Sequence, residues 1–360
     1  MTNQQPITHI NLAKGFRGGE RQTLLLISQL SKQGYLQQLV TRKDSDLAEK
    51  AKTVKNLKII QIGKPYFLHL KKIKNSRLLH AHETKAAQLC LLMFLRYQIP
   101  YIVTRRVDHP IKHNLFNKKI YEKAQYTIAL SSVIQQKVAQ LSKRIHSVVI
   151  PSAYGRLETN TTNIEKLRQR FKNQFIIGHI GELCNKHKGQ YYLIQAAKKL
   201  QVTHPQIHFI LLGQGPDAMF YRQQAQGLTN ITFEGFVDNV GDYIAIFDLF
   251  VFPSLYEGLG SSLLDVMQAK VPIIASSVGG IVDIVHHEFN GLLVPSKDAE
   301  AIQQAIIRYY EKPKLRLQMA QTGYHMMQYY APDYIASRYI ELYEQINKQD
   351  DSYNRRRDND

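Results

Sequence analysis

Short apolar runs alternate along this chain with longer segments whose apolar residues recur three and four apart. The runs ITHINLA, QQLVT, LKIIQI, RLLHAH, IPYIVT, YTIALS and SVVIP occupy the first part of the chain. Each is bounded by Gly, Pro or polar residues and predicts a buried strand. Between them, RQTLLLISQLSKQGY, TKAAQLCLLMFLRY and VIQQKVAQLS carry a helical period, the first with apolar residues at 24–27 and 30. A second series opens at FIIGHIG and continues through IHFILLG, ITFEGFV, LFVFPS, VPIIAS and GLLVP. Its helices are QYYLIQAAKKLQVTH, a segment after GQGPD, SSLLDVMQA, and DAEAIQQAIIRYYEKP, which stops at Pro313. PDYIASRYIELYEQI predicts one more. Strands alternating with helices predict parallel α/β layers, and 360 residues suit two domains of ordinary size. The boundaries read as 1–155, a polar linker over 156–172 that contains TNTTN, a second domain over 173–330, and a last helix over 331–347. The polar tail 348–360 is expected to be disordered.

Composition narrows the class. With 44% hydrophobic and 10% aromatic residues, both domains can bury a core. The two cysteines, Cys90 and Cys184, lie far apart, which argues for a reducing compartment and against a disulfide framework or a cysteine metal site. No basic-then-apolar leader opens the chain, and no apolar run reaches the roughly 18 residues of a membrane span. A cytoplasmic protein is expected. The charge is uneven: residues 1–150 hold 26 Lys and Arg against 7 Asp and Glu, whereas the remainder holds 21 against 22. The whole excess of +18 therefore sits in the first part. Such a surface attracts polyanions, phosphorylated glycolipid or anionic headgroups among them. Nucleic acid is not expected, because no binding motif and no aromatic–basic interleaving is present.

The richest segment runs from Phe252 to Pro295. A strand leads into Glu257 and the loop Gly258-Leu259-Gly260, and Ser261 and Ser262 open a helix that carries Asp265. Free N–H groups and the helix dipole at such a start suit an anion. Carboxylates beside it suit sugar hydroxyls, which donate to them. A phosphate and a polyol held together describe a nucleotide sugar. This segment resembles the donor site of retaining glycosyltransferases of family 4, which have the GT-B fold: two Rossmann-like α/β domains facing a central cleft. Glu257, Gly258, Gly260, Pro272, Gly279, Gly280, Asn290 and Gly291 fall in that family's pattern. The second glutamate of the pattern is here Asp265, a shorter carboxylate. The resemblance spans roughly residues 7–345, is strongest over 176–296, and implies that the last helix crosses back onto the first domain.

Other pieces gain meaning beside it. FRGGE places Gly18 and Gly19 between the first strand and helix, where close backbone approach suits a phosphate; the resemblance sets this loop toward donor diphosphate and acceptor. His80 and His82 fall on one side of a strand end. That spacing could hold a metal, but no third ligand is evident. The resemblance implies instead that His82 meets the donor sugar, with His80 more buried. After IPYIVT come Arg105, Arg106, Asp108 and Lys112; arginine forks bind phosphate, and an RRVD segment is similar to one in envelope-building members, where an acceptor would lie. In GHIGELCNKHKGQ, Lys188 matches the family's diphosphate-binding lysine. The matching arginine position is Glu182, whose carboxylate would repel a diphosphate unless Lys186 or His187 takes over. Gly213, in LLGQGPD, and Phe236 and Val237 match the surroundings of the nucleotide base.

The resemblance thus implies a metal-independent retaining transferase with no cofactor beyond its nucleotide-diphosphate-sugar donor. In that role Lys188 and the N–H groups around Gly258–Gly260 and Ser261 stabilise the leaving diphosphate. Glu257 orients the sugar, Asp265 holds the ribose, and His82 positions the sugar. The expected acceptor is an anionic glycan or glycolipid of lipopolysaccharide or another envelope polymer, with peripheral contact at the inner face of the cytoplasmic membrane. Two other classes stay open: a nucleotide-sugar epimerase or hydrolase of related fold, and an inactive nucleotide-sugar-binding or polyanion-binding protein.

Overall fold

The computed structural model describes residues 5–357, with side chains through Lys348. The chain divides into two compact units. The first comprises Met1–Ala153 and Tyr329–Asp360; the second is Tyr154–Gln328.

Unit 1 is built on seven parallel strands: β1 (Ile7–Asn11), β2 (Gln37–Arg42), β3 (Leu57–Ile62), β4 (Leu78–Ala81), β5 (Tyr101–Arg105), β6 (Tyr126–Ala129) and β7 (Ser147–Val149). Their order is β3-β2-β1-β4-β5-β6-β7. The order reverses beside β1, and right-handed crossovers then place successive helices on opposite faces of the sheet. That explains why β1, β4 and β5 are buried along their whole length and read as near-continuous apolar runs.

The helix Gly18–Lys32 lays Leu26 and Leu30 on one face of the sheet. The last helix, Pro332–Arg357, packs beside it. Its Ile335, Ala336, Tyr339, Leu342, Tyr343 and Ile346 form a stripe three and four apart, buried with Ile7, Leu78, Ile102 and Ile128. Each such aliphatic side chain, taken from water, contributes about 1.5–3 kcal/mol.

Unit 2 repeats the plan with six parallel strands: β8 (Phe175–Ile180), β9 (Ile207–Leu212), β10 (Ile231–Gly235), β11 (Leu249–Phe252), β12 (Ile273–Ser276) and β13 (Leu292–Val294). Their order is β10-β9-β8-β11-β12-β13, with the switch between β8 and β11. Helices Gln190–Thr203 and Ala299–Glu311 bury Leu193, Ala197, Leu200, Ile302 and Ile306 against β8, β9 and β11. Gly178 in β8 is needed for packing, because a Cβ there would lie 2.1 Å from the Phe247 ring.

Two expectations are corrected, at the linker and at the last helix. The polar stretch 156–172 is not an open linker. It holds the helix Thr161–Arg170, started by Asn160, whose side chain accepts the Asn163 amide. The helix Ala299–Glu311 does stop ahead of Pro313, as expected, and Pro313 then opens a further helix, Pro313–Met326. The last helix runs to Arg357 instead of ending at 347, through most of the expected disordered tail; 358–360 lie outside the described residues.

Candidate functional site

In unit 2 the chemistry gathers where β8 and β11 end. The Lys188 ammonium donates to Glu257 Oε2 at 2.6 Å, with both side chains half-buried. The same ammonium stands 5.4 Å from the centre of the Phe252 ring. Tight backbone packing fixes this pair. The Leu255 amide donates to the His187 carbonyl at 2.7 Å, and the Gly280 amide to the Glu257 carbonyl at 3.0 Å. Gly189 and Gly279 have left-handed backbones, with φ of 64° and 53°. A Cβ on Gly189 would sit 2.0 Å from the Pro253 carbonyl oxygen, and one on Gly279 1.9 Å from that of Glu257. Only glycine allows both approaches.

Gly260, also left-handed, precedes the helix Ser261–Gln268 as its N-cap and offers no capping side chain. The first N–H groups of that helix are therefore not capped by the residue that begins it, the condition in which a helix start receives an anion. Gly258, Leu259 and Ser261 lie in this turn, with Leu259 buried. Asp265, one turn further on, is buried, and its Oδ1 accepts the Gly155 amide at 2.6 Å. At least one of its oxygens thus holds the chain entering the unit.

Beneath the Gly181–Gly189 loop lie two buried polar atoms without hydrogen-bond partners, His179 Nε2 and Gln190 Oε1. Orphaned polar atoms are costly in a core and common beside ligands. His179 Nδ1 donates to the Val251 carbonyl at 2.9 Å. Burial, with a smaller contribution from the nearby Lys188 charge, lowers its pKa to about 4. The ring is neutral at pH 7, and its Nε2 lone pair is an acceptor. His179 escaped the sequence reading because one histidine in an apolar strand carries no periodic signal.

Glu182 is exposed, and its backbone carbonyl accepts from Gln190. Gly213, with φ of 135°, presses on the Gly181 carbonyl, where a Cβ would lie 2.0 Å away. Phe236 is 67% exposed, with Val237 half-buried after it.

In unit 1 the histidines form a set of three. His9 of β1 stands in register with His80 of β4. His9, His80 and His82 place one nitrogen each within 4.8 Å of one another, so the third histidine that the sequence hid is His9. The three are tied by hydrogen bonds. His9 Nδ1 meets His82 Nε2 at 3.0 Å, and His80 joins the Tyr343 hydroxyl at 2.8 Å and Thr104 Oγ1 at 2.7 Å. With both His80 nitrogens engaged, the group fits a hydrogen-bonded network better than a metal centre. Burial lowers all three pKa values, that of His9 to about 3. His80 is fully buried, and His82 is nearly so at 2% exposed. Its Nδ1 is buried without a hydrogen-bond partner.

The expected acceptor group separates. Arg105 is buried and donates to the Tyr121 hydroxyl and the His109 carbonyl. Asp108 is buried against Lys137. Both support the fold and do not present charge outward, a correction caused by their position at the end of β5. Arg106 is half-buried, its Cδ 3.4 Å from where a Cβ on Gly19 would stand. Lys112 is exposed. Gly18 and Gly19 are not loop residues but the first two of the helix Gly18–Lys32.

Residues 160–326 match the family model for glycosyl transferases, group 1. The lipopolysaccharide core biosynthesis glycosyltransferase LpsE of Rhizobium meliloti is 23% identical over 349 residues, covering 93% of this chain and 98% of that protein. The alpha-D-kanosaminyltransferase of Streptomyces kanamyceticus is 27% identical over 239 residues, 63% of this chain and 61% of that one. This chain spans between 50% and 61% of the length of several such curated relatives. Among solved structures, Anabaena Alr3699/HepE in complex with UDP superposes with a TM-score of 0.84 at 19% identity, covering 94% of this chain and 100% of that one. The chain thus has the GT-B fold, and residues 160–326 are similar to glycosyl transferases of group 1.

Proposed function

We propose that this chain transfers a sugar, with retention of anomeric configuration and without a metal, from a nucleotide-diphosphate sugar to an anionic glycan or glycolipid of a bacterial envelope. The observation that carries this reading is the Lys188–Glu257 pair, 2.6 Å apart, beside a helix start with no side-chain cap. The Glu257 carboxylate holds the Lys188 charge in place. An arriving diphosphate competes for that charge and for the N–H groups of Ser261 and its neighbours, which frees Glu257 to accept sugar hydroxyls. As the glycosyl–oxygen bond breaks, positive charge grows at the anomeric carbon and negative charge on the diphosphate. Fixed donors at the latter lower the barrier because they need no reorganisation. Phe236 offers an exposed ring to a base. His82, through Nδ1, is the sugar-positioning group of unit 1, and Arg106 and Lys112 are the acceptor's remaining cationic contacts. Support for a nucleotide sugar also comes from the HepE structures, one holding UDP-glucose, and support for an envelope acceptor from the likeness to LpsE.

Incubation with a panel of nucleotide sugars, with and without glycolipid extract, tests the reading. Nucleotide release that requires extract and disappears in Glu257→Ala and Lys188→Ala is the expected result. Release without extract indicates a hydrolase, and donor binding without release an inactive binder; either overturns the proposal.

A further inference from the structure

A row of polar side chains crosses the sheet of unit 1 on three adjacent strands, β2, β1 and β4. The register pairs His9 with Leu39 on one side and with His80 on the other. Side chains alternate along a strand, so Gln37, two residues before Leu39, and His82, two after His80, share the face of His9. The His82 amide extends the pairing by donating to the Ile10 carbonyl at 3.0 Å. None of Gln37, His9, His80 and His82 is more than 2% exposed.

Tyr343 and Thr104 take both nitrogens of His80. The other two rings hold each other. His9 Nδ1 lies 3.0 Å from His82 Nε2, and the rings stack with centroids 5.2 Å apart. Burial keeps both rings neutral at pH 7. Each therefore carries a single N–H, and one ring must donate to the lone pair of the other. The distance alone does not choose between the two arrangements, but Gln37 does. Its Nε2 donates to the Ile27 carbonyl at 3.0 Å. A carbonyl only accepts, so the amide cannot be turned round, and the atom it has left is Oε1, an acceptor. That oxygen and His9 Nε2 are both buried without a conventional partner. Against the lowering by burial, a side-chain hydrogen bond with Gln37 raises the His9 pKa, as a carbonyl oxygen facing a ring N–H does.

We infer that Gln37, acting through His9, fixes the tautomer of His82: both rings carry their proton on Nε2, and His82 Nδ1 is a hydrogen-bond acceptor. The opposite arrangement sets the lone pair of His9 Nε2 toward the Gln37 oxygen and buries an unpaired N–H on His82, and each of these costs free energy. Gln37 and His9 are thus positioning residues for His82. A consequence for the donor rests on the reading that His82 positions the sugar. The sugar group that meets Nδ1 must bring a proton, as a hydroxyl does. A carboxylate or an amide carbonyl at that place would face a lone pair.

Nitrogen-15 NMR of the ring nitrogens at pH 7 tests the tautomers without any substrate. The chain has 14 histidines, so His9→Asn and His82→Asn assign the two rings by the signals they remove. Protonated Nε2 and bare Nδ1 on both rings is the expected result; a proton on His82 Nδ1 in the parent protein overturns the inference. Gln37→Leu, which removes the acceptor, should give His82 a mixture of tautomers. Gln37→Glu in its neutral acid form can donate to Ile27 and accept from His9, and should restore the single form. An unchanged His82 spectrum in Gln37→Leu would show that Gln37 does not set it. Transfer of the sugar found in the donor panel gives the second reading: kcat should fall by about two- to tenfold in Gln37→Leu, the worth of one hydrogen bond, and recover in Gln37→Glu. Tautomers that scramble with no change in kcat would overturn the consequence for the donor and leave the relay standing.

Discussion

The two units close similar parallel sheets between helices, yet finish the ends of their strands in opposite ways. In unit 1 the ends are filled by side chains. His9, His80 and His82 are buried and joined to one another, to Thr104 and to Tyr343. In unit 2 the ends are cleared by glycines. Gly189, Gly213 and Gly279 each press on a carbonyl oxygen that a Cβ would strike at 1.9–2.0 Å. Backbone brought that close leaves room and free N–H groups for a ligand, and it makes the Lys188–Glu257 pair rigid. A filled end supplies positioning and stability; a cleared end supplies binding. The charge divides the same way, with the basic excess in the unit whose strand ends are filled.

The largest expected effect sharpens this contrast. Lys188→Ala and Glu257→Ala should each lower kcat by roughly 10²–10³, the cost of removing a fixed charge from a developing ion. His82→Ala in unit 1 should lower it by only about tenfold. Equal losses in steady-state assays would mean that the two ends share the chemistry evenly.

Next comes the backbone. Gly279→Ala should destabilise unit 2 by about 2–4 kcal/mol, since it adds a clash to a left-handed φ. Gly34 of unit 1, with φ of 81°, has nothing within 4 Å of an added Cβ, so Gly34→Ala should cost about 1 kcal/mol. Urea unfolding of the two variants measures the difference, and similar costs would break the comparison.

Acid should act in the other direction. A histidine held neutral in the fold, with its pKa depressed below 6.5, takes up its proton on unfolding. Its contribution is complete above pH 6.5 and is lost as pH falls toward the folded value, about 3 for His9 and about 4 for His179. Each proton so gained steepens the loss by about 1.4 kcal/mol per pH unit. Unit 1 buries three such groups; in unit 2 the lowered histidines are His179 and His208. Limited proteolysis between pH 7 and 4.5 should therefore cut unit 1 first, and His9→Gln should flatten its pH dependence. Earlier cleavage of unit 2 would contradict this. The smallest effect expected is Glu182→Arg, which should tighten donor binding a few-fold, as a partly solvated charge reversal does. Titration with the donor reads it.

Much of this was legible in the chain. Alternating runs gave both sheets, and the pattern of Glu257, Gly260 and Gly279 singled out the turn in which Glu257 meets Lys188. What escaped depended on long-range register or on local capping. His9 sits in ITHIN with no partner nearby in sequence, and only the pairing of β1 with β4 brings it to His80. Arg105 reads as a loop cation, but it closes β5 and is buried there. The helix Thr161–Arg170 has a weak apolar face, with Leu167 its buried residue. Its signal was the Asn160 cap inside a segment whose composition suggested a linker.

The placement of Tyr329–Asp360 in unit 1 has a consequence for the order in which a nascent chain acquires structure. During synthesis, all of unit 2 leaves the ribosome before the first unit has its final helix. Until then the apolar face beside Leu26 and Leu30 is open, and His80 Nδ1 lacks the Tyr343 hydroxyl. Unit 1 is thus completed only after unit 2, and a stop codon ahead of Pro332 would damage the unit that begins at β1.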